Sequence, residues 1–244
     1  FTASGKTHFG RRLIIDSTDG NWSENAEEAL VNQNPMALRL SLADLEDSPI
    51  DWSRFVHDGK VVQAAKKELM PHQRDALDAV RKGFAEGDRG KLIMACGTGK
   101  TFTALKIAER TAADNGGAAR ILFLVPSISL LSQTLREWTA QCELDLRAFA
   151  VCSDTKVSRS AEDFNVHDVP IPVTTNPAVL AAEMGHRKRA KGLTVVFSTY
   201  QSLPAVAEAQ QFGVDEFDLV IDPGNRCVLR QHAAERNDGV NRQR

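Results

Sequence analysis

The residues best placed to do chemistry run from Ala95 to Thr101, A-C-G-T-G-K-T. Gly97 and Gly99 permit backbone angles and a close approach that side chains would block, so successive N–H groups can ring a phosphate. Residues 92–94 read as a strand before this loop and 100–113 as a helix after it, whose positive end favours the same anion. Lys100 would neutralise the β- and γ-phosphates of a nucleoside triphosphate, and the Thr101 hydroxyl would hold magnesium. Cys96, Gly97, Thr98, Gly99, Lys100 and Thr101 are therefore read as the nucleotide cradle. A second Gly-Lys-Thr, at residues 5–7, has no strand before it and is not read as a site.

The elements that must position this loop follow one alternating pattern. A helix over 71–86 has Pro71 in its first turn and Leu77, Val80 and Phe84 at helical spacing. After the loop and its helix come a strand (120–125), a helix (129–141) and a strand near 146–152. The pattern lapses over 153–191, with a helix at 178–183 and the basic cluster from His186 to Lys191 read as a solvated face. Strands resume at 193–197 and 218–221. Such alternation predicts an α/β fold: a parallel sheet with helices on both faces. Ahead of it, residues 1–60 read as a small α/β remnant. It has strands at 11–15 and 36–42, a helix over 23–33, and a polar connector over 43–60.

Composition narrows the class. The chain of 244 residues has 42% hydrophobic content, enough for one sizeable core. A formal net charge of -2 means that any nucleic-acid contact comes from a local face, not from a global field. The four cysteines, Cys96, Cys142, Cys152 and Cys227, form neither a C-x-x-C pair nor a compact disulfide framework, and read as free thiols in a reducing cytoplasm. No stretch approaches the roughly 20 apolar residues that span a bilayer, so no membrane partner is expected. The chain begins with Phe1, and reads as a piece of something longer.

Met94 stands where the general G-x-x-x-x-G-K-S/T form has its first glycine. The A-C-G-T-G-K-T variant resembles the phosphate loop of superfamily-two DEAD/DEAH-type helicases and translocases, whose ATP-binding domains are RecA-like. Other stretches resemble that family's motifs in the expected order. Leu69-Met70-Pro71-His72-Gln73 is similar to the element whose glutamine reads adenine, which gives Gln73 that role. LFLVPSISLLSQ (122–133) resembles a strand-end motif contacting the nucleic-acid backbone, with Pro126, Ser127 and Gln133 at the matching positions. VVFSTYQSL (195–203) is similar to a further motif on the same track, with Ser198, Thr199 and Tyr200. Hydroxyl and backbone donors there would hold phosphates without charge. These runs, with VTTNP in the long insertion, look most like the motor subunits of restriction-modification systems, type III and single-chain type I-like. In the single-chain enzymes a nuclease domain precedes the motor, and residues 11–55 resemble the end of one. The resemblance implies ATP and magnesium as cofactors, DNA as partner, and a second RecA-like domain outside this chain. A general DNA or RNA helicase, or a nucleotide-binding fragment without turnover, are the alternatives.

The resemblance breaks at one place. The family's next motif is a strand ending in Asp-Glu, the Asp holding magnesium through water and the Glu polarising the attacking water. Here the strand reaches Asp222 and then reads Pro223-Gly224-Asn225-Arg226. Asp222 keeps the metal role beside the catalytic Lys100, the Glu is missing, and hydrolysis is doubtful. Residues 223–244, with five arginines and little apolar periodicity, are expected to be an atypical tail without regular structure. The family's next strand inserts between the phosphate-loop strand and the Asp-Glu strand, so the sheet is expected to lack an interior strand.

Overall fold

A computed structural model describes residues 12–18, 23, 25–26, 37–46, 48–63, 65–152, 171, 173–185, 191–223 and 228–231. Most of the helix expected over 23–33, residues 186–190 of the basic cluster and the 5–7 run lie outside the described residues.

Two short strands, β1 (Arg12–Ile15) and β2 (Ala37–Leu40), pair in parallel, with Arg12 beside Ala37 and Ile15 beside Leu40. The connector expected over 43–60 instead contains two helices, α1 (Leu42–Glu46) and α2 (Trp52–Asp58). Local capping explains both. Asp44 accepts from the N–H and hydroxyl of Ser41, each at 2.7 Å, and Asp51 accepts from the Arg54 N–H at 3.0 Å. Neither helix is long enough to show a helical apolar period, which is why periodicity passed over them.

The larger unit is built on a six-stranded sheet in the order β3-β8-β7-β4-β6-β5. These strands are β3 (Arg89–Lys91), β4 (Ala118–Val125), β5 (Leu146–Val151), β6 (Gly192–Thr199), β7 (Leu219–Asp222) and β8 (Val228–Gln231). The four strands β7, β4, β6 and β5 run parallel, as the alternating pattern requires. Their residues are mostly apolar because both faces are covered. On β4, Ile121, Phe123 and Val125 face one core while Leu122 and Leu124 face the other.

Helices α3 (Pro71–Glu86), α4 (Lys100–Asp114) and α5 (Ile128–Gln141) cover the first face, and α6 (Pro177–Gly185) and α7 (Leu203–Gln211) the second. Large side chains such as Leu105, Leu135, Phe197 and Ile221 are fully buried there. Each such burial contributes about 1.5–3 kcal/mol relative to exposure.

Two expectations are corrected at the β3 edge. The strand expected at 92–94 is placed at Arg89–Lys91, where the ladder with β8 runs among the described residues from Arg89 beside Arg230 to Lys91 beside Val228. The interior strand expected to be missing is supplied by the supposed tail. β8 pairs antiparallel with both β7 and β3 and fills the position between them. The direction follows from the connection: residues 223–227 suffice for a hairpin, whereas a parallel return needs a crossover of roughly a dozen residues. Without β8 the main-chain groups of β7 on the side away from β4 would lose their partners, at about 1–3 kcal/mol for each buried one.

The two units touch through polar contacts. Arg136 Nε of α5 lies 2.5 Å from Asp44 Oδ1. Between them, Lys66 donates to the Cys142 carbonyl at 2.5 Å and the Lys67 N–H to Gln141 at 2.7 Å, so the segment entering α3 is tied to the end of α5.

Candidate functional site

The loop 95–99 enters α4 through Gly99, whose φ of 78° lies in the left-handed region, as does the 77° of Gly97. The loop is held from within by the Thr98 hydroxyl, which donates to the Ala95 carbonyl at 2.8 Å. It is held from outside by α3: the Gln73 amide donates to the Thr98 carbonyl at 3.0 Å, and His72 Nε2 lies 3.1 Å from the same oxygen. Gln73 is buried, and its own carbonyl accepts from the Met70 N–H at 3.0 Å. A Cβ on Gly99 would lie 2.5 Å from the Gln73 amide nitrogen, so any side chain there would have to push the clamp aside as well as adopt an unfavourable φ. A Cβ on Gly97 would meet nothing within 4 Å, which leaves that side of the loop open to an incoming phosphate. Glycine amides, an open flank and Lys100 at the start of a helix together fit a polyphosphate chain.

The helix behind the loop is anchored by an ion cluster. Lys106, buried, lies 2.5 Å from Glu143 and 2.9 Å from Glu109. Burial pulls its ammonium down most strongly of any single influence, but the hydrogen bonds and charges of Glu143 and Glu109 together hold it above the usual lysine range. The hydrogen bond and charge of Lys106 hold the Glu143 carboxyl below the usual range. Beside them, burial pushes the Cys142 thiol up to about 11, and it donates to the Leu144 carbonyl at 3.3 Å. Cys142 and Cys152 are buried free thiols and Cys96 an exposed one.

The remaining expected residues stand at the carboxyl ends of the parallel strands, where open α/β sheets bind their ligands. Pro126 and Ser127 follow β4 and are exposed, and Ser127 caps α5 by accepting from the Leu130 N–H at 3.2 Å. Gln133 is exposed on α5. Ser198 and Thr199 end β6, and both are buried, with their hydroxyls engaged within the chain. The Ser198 hydroxyl donates to the Thr199 carbonyl at 3.0 Å and that of Thr199 to Ser202 at 3.2 Å. Alternation along the strand exposes neither residue here, because each face of the sheet is packed. Of that trio Tyr200 alone is exposed, and its hydroxyl donates to Asp222 at the end of β7.

Two residues given no role by the sequence reading belong to this site. His72 joins Gln73 at the Thr98 carbonyl. The Trp138 indole N–H donates to the Thr101 carbonyl at 3.1 Å. A single tryptophan in a helix gives no signal of this beyond its place on the apolar face. Among the described residues no group of three or more His, Cys, Asp or Glu could hold a metal ion, and no helix is long and apolar enough to cross a membrane.

The family model "Type III restriction enzyme, res subunit" matches residues 66–222. The chain belongs to that family. A second model, "Restriction endonuclease", matches residues 1–62. Among solved structures, the ATP-dependent Type ISP restriction-modification enzyme LlaBIII bound to DNA superimposes with a TM-score of 0.80 at 38% identity, over 90% of this chain and 14% of that one. A nuclease-deletion mutant of the Type ISP enzyme LlaGI, in complex with a DNA substrate mimic, matches with a TM-score of 0.54 at 42% identity, over 63% of this chain and 15% of that one. An African swine fever virus protein (isolate Pig/Kenya), titled "Probable helicase", is 28% identical over 195 residues, 77% of this chain and 20% of the relative. Its counterpart from the Badajoz strain is 32% identical over 203 residues. The chain thus spans about a fifth of the length of these curated relatives. Its fold and motif order are those of a superfamily-two helicase motor of the restriction-enzyme type.

Proposed function

We propose that this chain is the ATP- and magnesium-binding first motor domain of a DNA-dependent translocase in a cytoplasmic restriction-modification system, with residues 1–60 the end of its nuclease unit. The observation that supports this most is the phosphate loop clamped by Gln73 and opening onto the strand ends that carry Ser127, Tyr200 and Asp222.

In this reading Lys100 counters the β/γ-phosphate charge, and the N–H groups of 97–101 receive the phosphate oxygens. Gln73 keeps one N–H and one carbonyl lone pair beyond its two bonds, and these meet the adenine edge. Thr101 and Asp222 hold magnesium, which when bound neutralises phosphate charge. Ser127, the main chain after Pro126, Gln133 and Tyr200 meet the DNA backbone, fixing orientation without reading sequence. Pro223 stands where the family's Glu would polarise water, so binding without efficient turnover is assigned to the chain by itself. A second RecA-like domain completes the motor.

The experiment is nucleotide binding and ATPase measurement with duplex DNA, single-stranded DNA and RNA. Magnesium-dependent ADP binding that disappears in Lys100→Ala, with binding enhanced by DNA, is the expected result. Enhancement by RNA alone would replace the restriction reading with an RNA helicase, and turnover abolished by Lys100→Ala would refute the loss of hydrolysis.

A further inference from the structure

Tyr200 directly follows β6 and Asp222 ends β7, two strands that are not neighbours. β4 lies between β6 and β7, with Val125 beside Thr199 and Phe123 beside Ile221. Strands sit about 4.8 Å apart, so the two residues are separated by roughly twice that distance. A serine or threonine at position 200 could not cross it. The tyrosine can, because its hydroxyl stands at the far end of a rigid ring, and the contact made is a charge-assisted hydrogen bond from Tyr200 Oη to Asp222 Oδ1. Tyr200 is also 36% exposed, so the same side chain faces solvent beside the end of β4.

We infer that Tyr200 is a positioning residue for Asp222: its hydroxyl occupies the carboxylate in the absence of nucleic acid, and transfer of that hydrogen bond to a DNA phosphate frees Asp222 for magnesium. This rests on the motor reading above and adds to it the physical link between the two ligands. Phosphate and carboxylate compete for one donor. The ligand that takes the donor thereby raises the affinity of the site that loses it, and linkage makes the effect reciprocal.

The test uses the full chain, with magnesium and ADP as the probe and a short DNA duplex as the second ligand. Tyr200→Phe removes one hydroxyl and keeps the ring. In the unsubstituted chain, duplex DNA is expected to lower the half-saturating magnesium concentration for ADP binding by roughly five-fold. In Tyr200→Phe that concentration is expected to be already low and indifferent to DNA. Equal half-saturation and equal DNA response in the two proteins would overturn the inference. Tyr200 is the single tyrosine of the sequence. Biosynthetic 3-fluorotyrosine therefore gives one fluorine resonance, readable without any variant. It is expected to move on addition of magnesium with ADP and on addition of duplex. A resonance unmoved by both would overturn the link, whatever the behaviour of Tyr200→Phe. ADP binding that survives Lys100→Ala undiminished would instead overturn the motor reading, and this inference with it.

Discussion

The Trp138 indole N–H, 3.1 Å from the Thr101 carbonyl, fastens the helix that leaves the Ser127 strand end to the first turn of the helix that leaves the phosphate loop. The same ring packs edge-on against Phe123 at 5.2 Å and Phe197 at 5.6 Å, on the strands that lead into Pro126 and Tyr200. One fully buried side chain therefore touches the loop helix and both strands that carry candidate backbone contacts.

Trp138→Phe keeps the aromatic packing and deletes the donor, and is expected to lower stability by about 1 kcal/mol. Trp138→Ala also opens a cavity and is expected to cost about 3–5 kcal/mol. Urea unfolding followed by circular dichroism measures both. Equal losses would show that the hydrogen bond, and not the packing, dominates.

Gly97 and Gly99 share a left-handed backbone but differ in their surroundings. Alanine at 97 meets only the backbone penalty of about 1–2 kcal/mol. Alanine at 99 must in addition displace the Gln73 amide from the Thr98 carbonyl and the Met70 N–H. Thermal melts should show the larger loss for Gly99→Ala, and a fall of equal size in both would mean that the Gln73 clamp contributes nothing.

Gln73→Ala removes the clamp and the adenine contact together. It is expected to weaken ADP binding on the order of tenfold, about 1.4 kcal/mol, and to abolish preference for ADP over GDP. Isothermal titration with both nucleotides checks this. Parallel weakening with the preference intact would assign Gln73 to the loop alone.

The Lys106 cluster sets a pH dependence at both ends of the scale. Glu143 is depressed, so its contribution is present above the usual carboxylate range and is lost as pH falls through the lowered value. Lys106 is raised, so its contribution is present below the usual lysine range and is lost as pH rises through the raised value. The melting temperature of Lys106→Met should be lower than that of the unsubstituted chain at neutral pH and fall less steeply on acidification. Acid limbs of the same slope in the two proteins would remove Glu143 from the account.

Much of this was legible along the chain because it is written in local patterns. The loop 95–101 is recognised from contiguous residues, and α3, α4, α5 and the four parallel strands follow from apolar spacing set by the periods of helix and strand. Gln73 was found by its place in a motif, though its engagement with Thr98 was not. α1 and α2 were missed because capping, and not a buried stripe, defines them. β8 was missed for a different reason. Residues 228–231 carry little apolar pattern of their own, and what makes them a strand is a gap between β3 and β7 whose main-chain groups need partners.

The sequence by itself determined which residues can meet a phosphate, a metal ion or a nucleic-acid backbone, since these are properties of side-chain type and of neighbours within one motif. Only the tertiary structure decided which of them are turned outward and which meet each other. Ser198 and Thr199 are buried by helices packed on both faces of the sheet, Trp138 reaches Thr101 across a helix pair, and Tyr200 meets Asp222 across an intervening strand. Such contacts join residues far apart in the chain. They are fixed by strand order and packing, which no local spacing encodes.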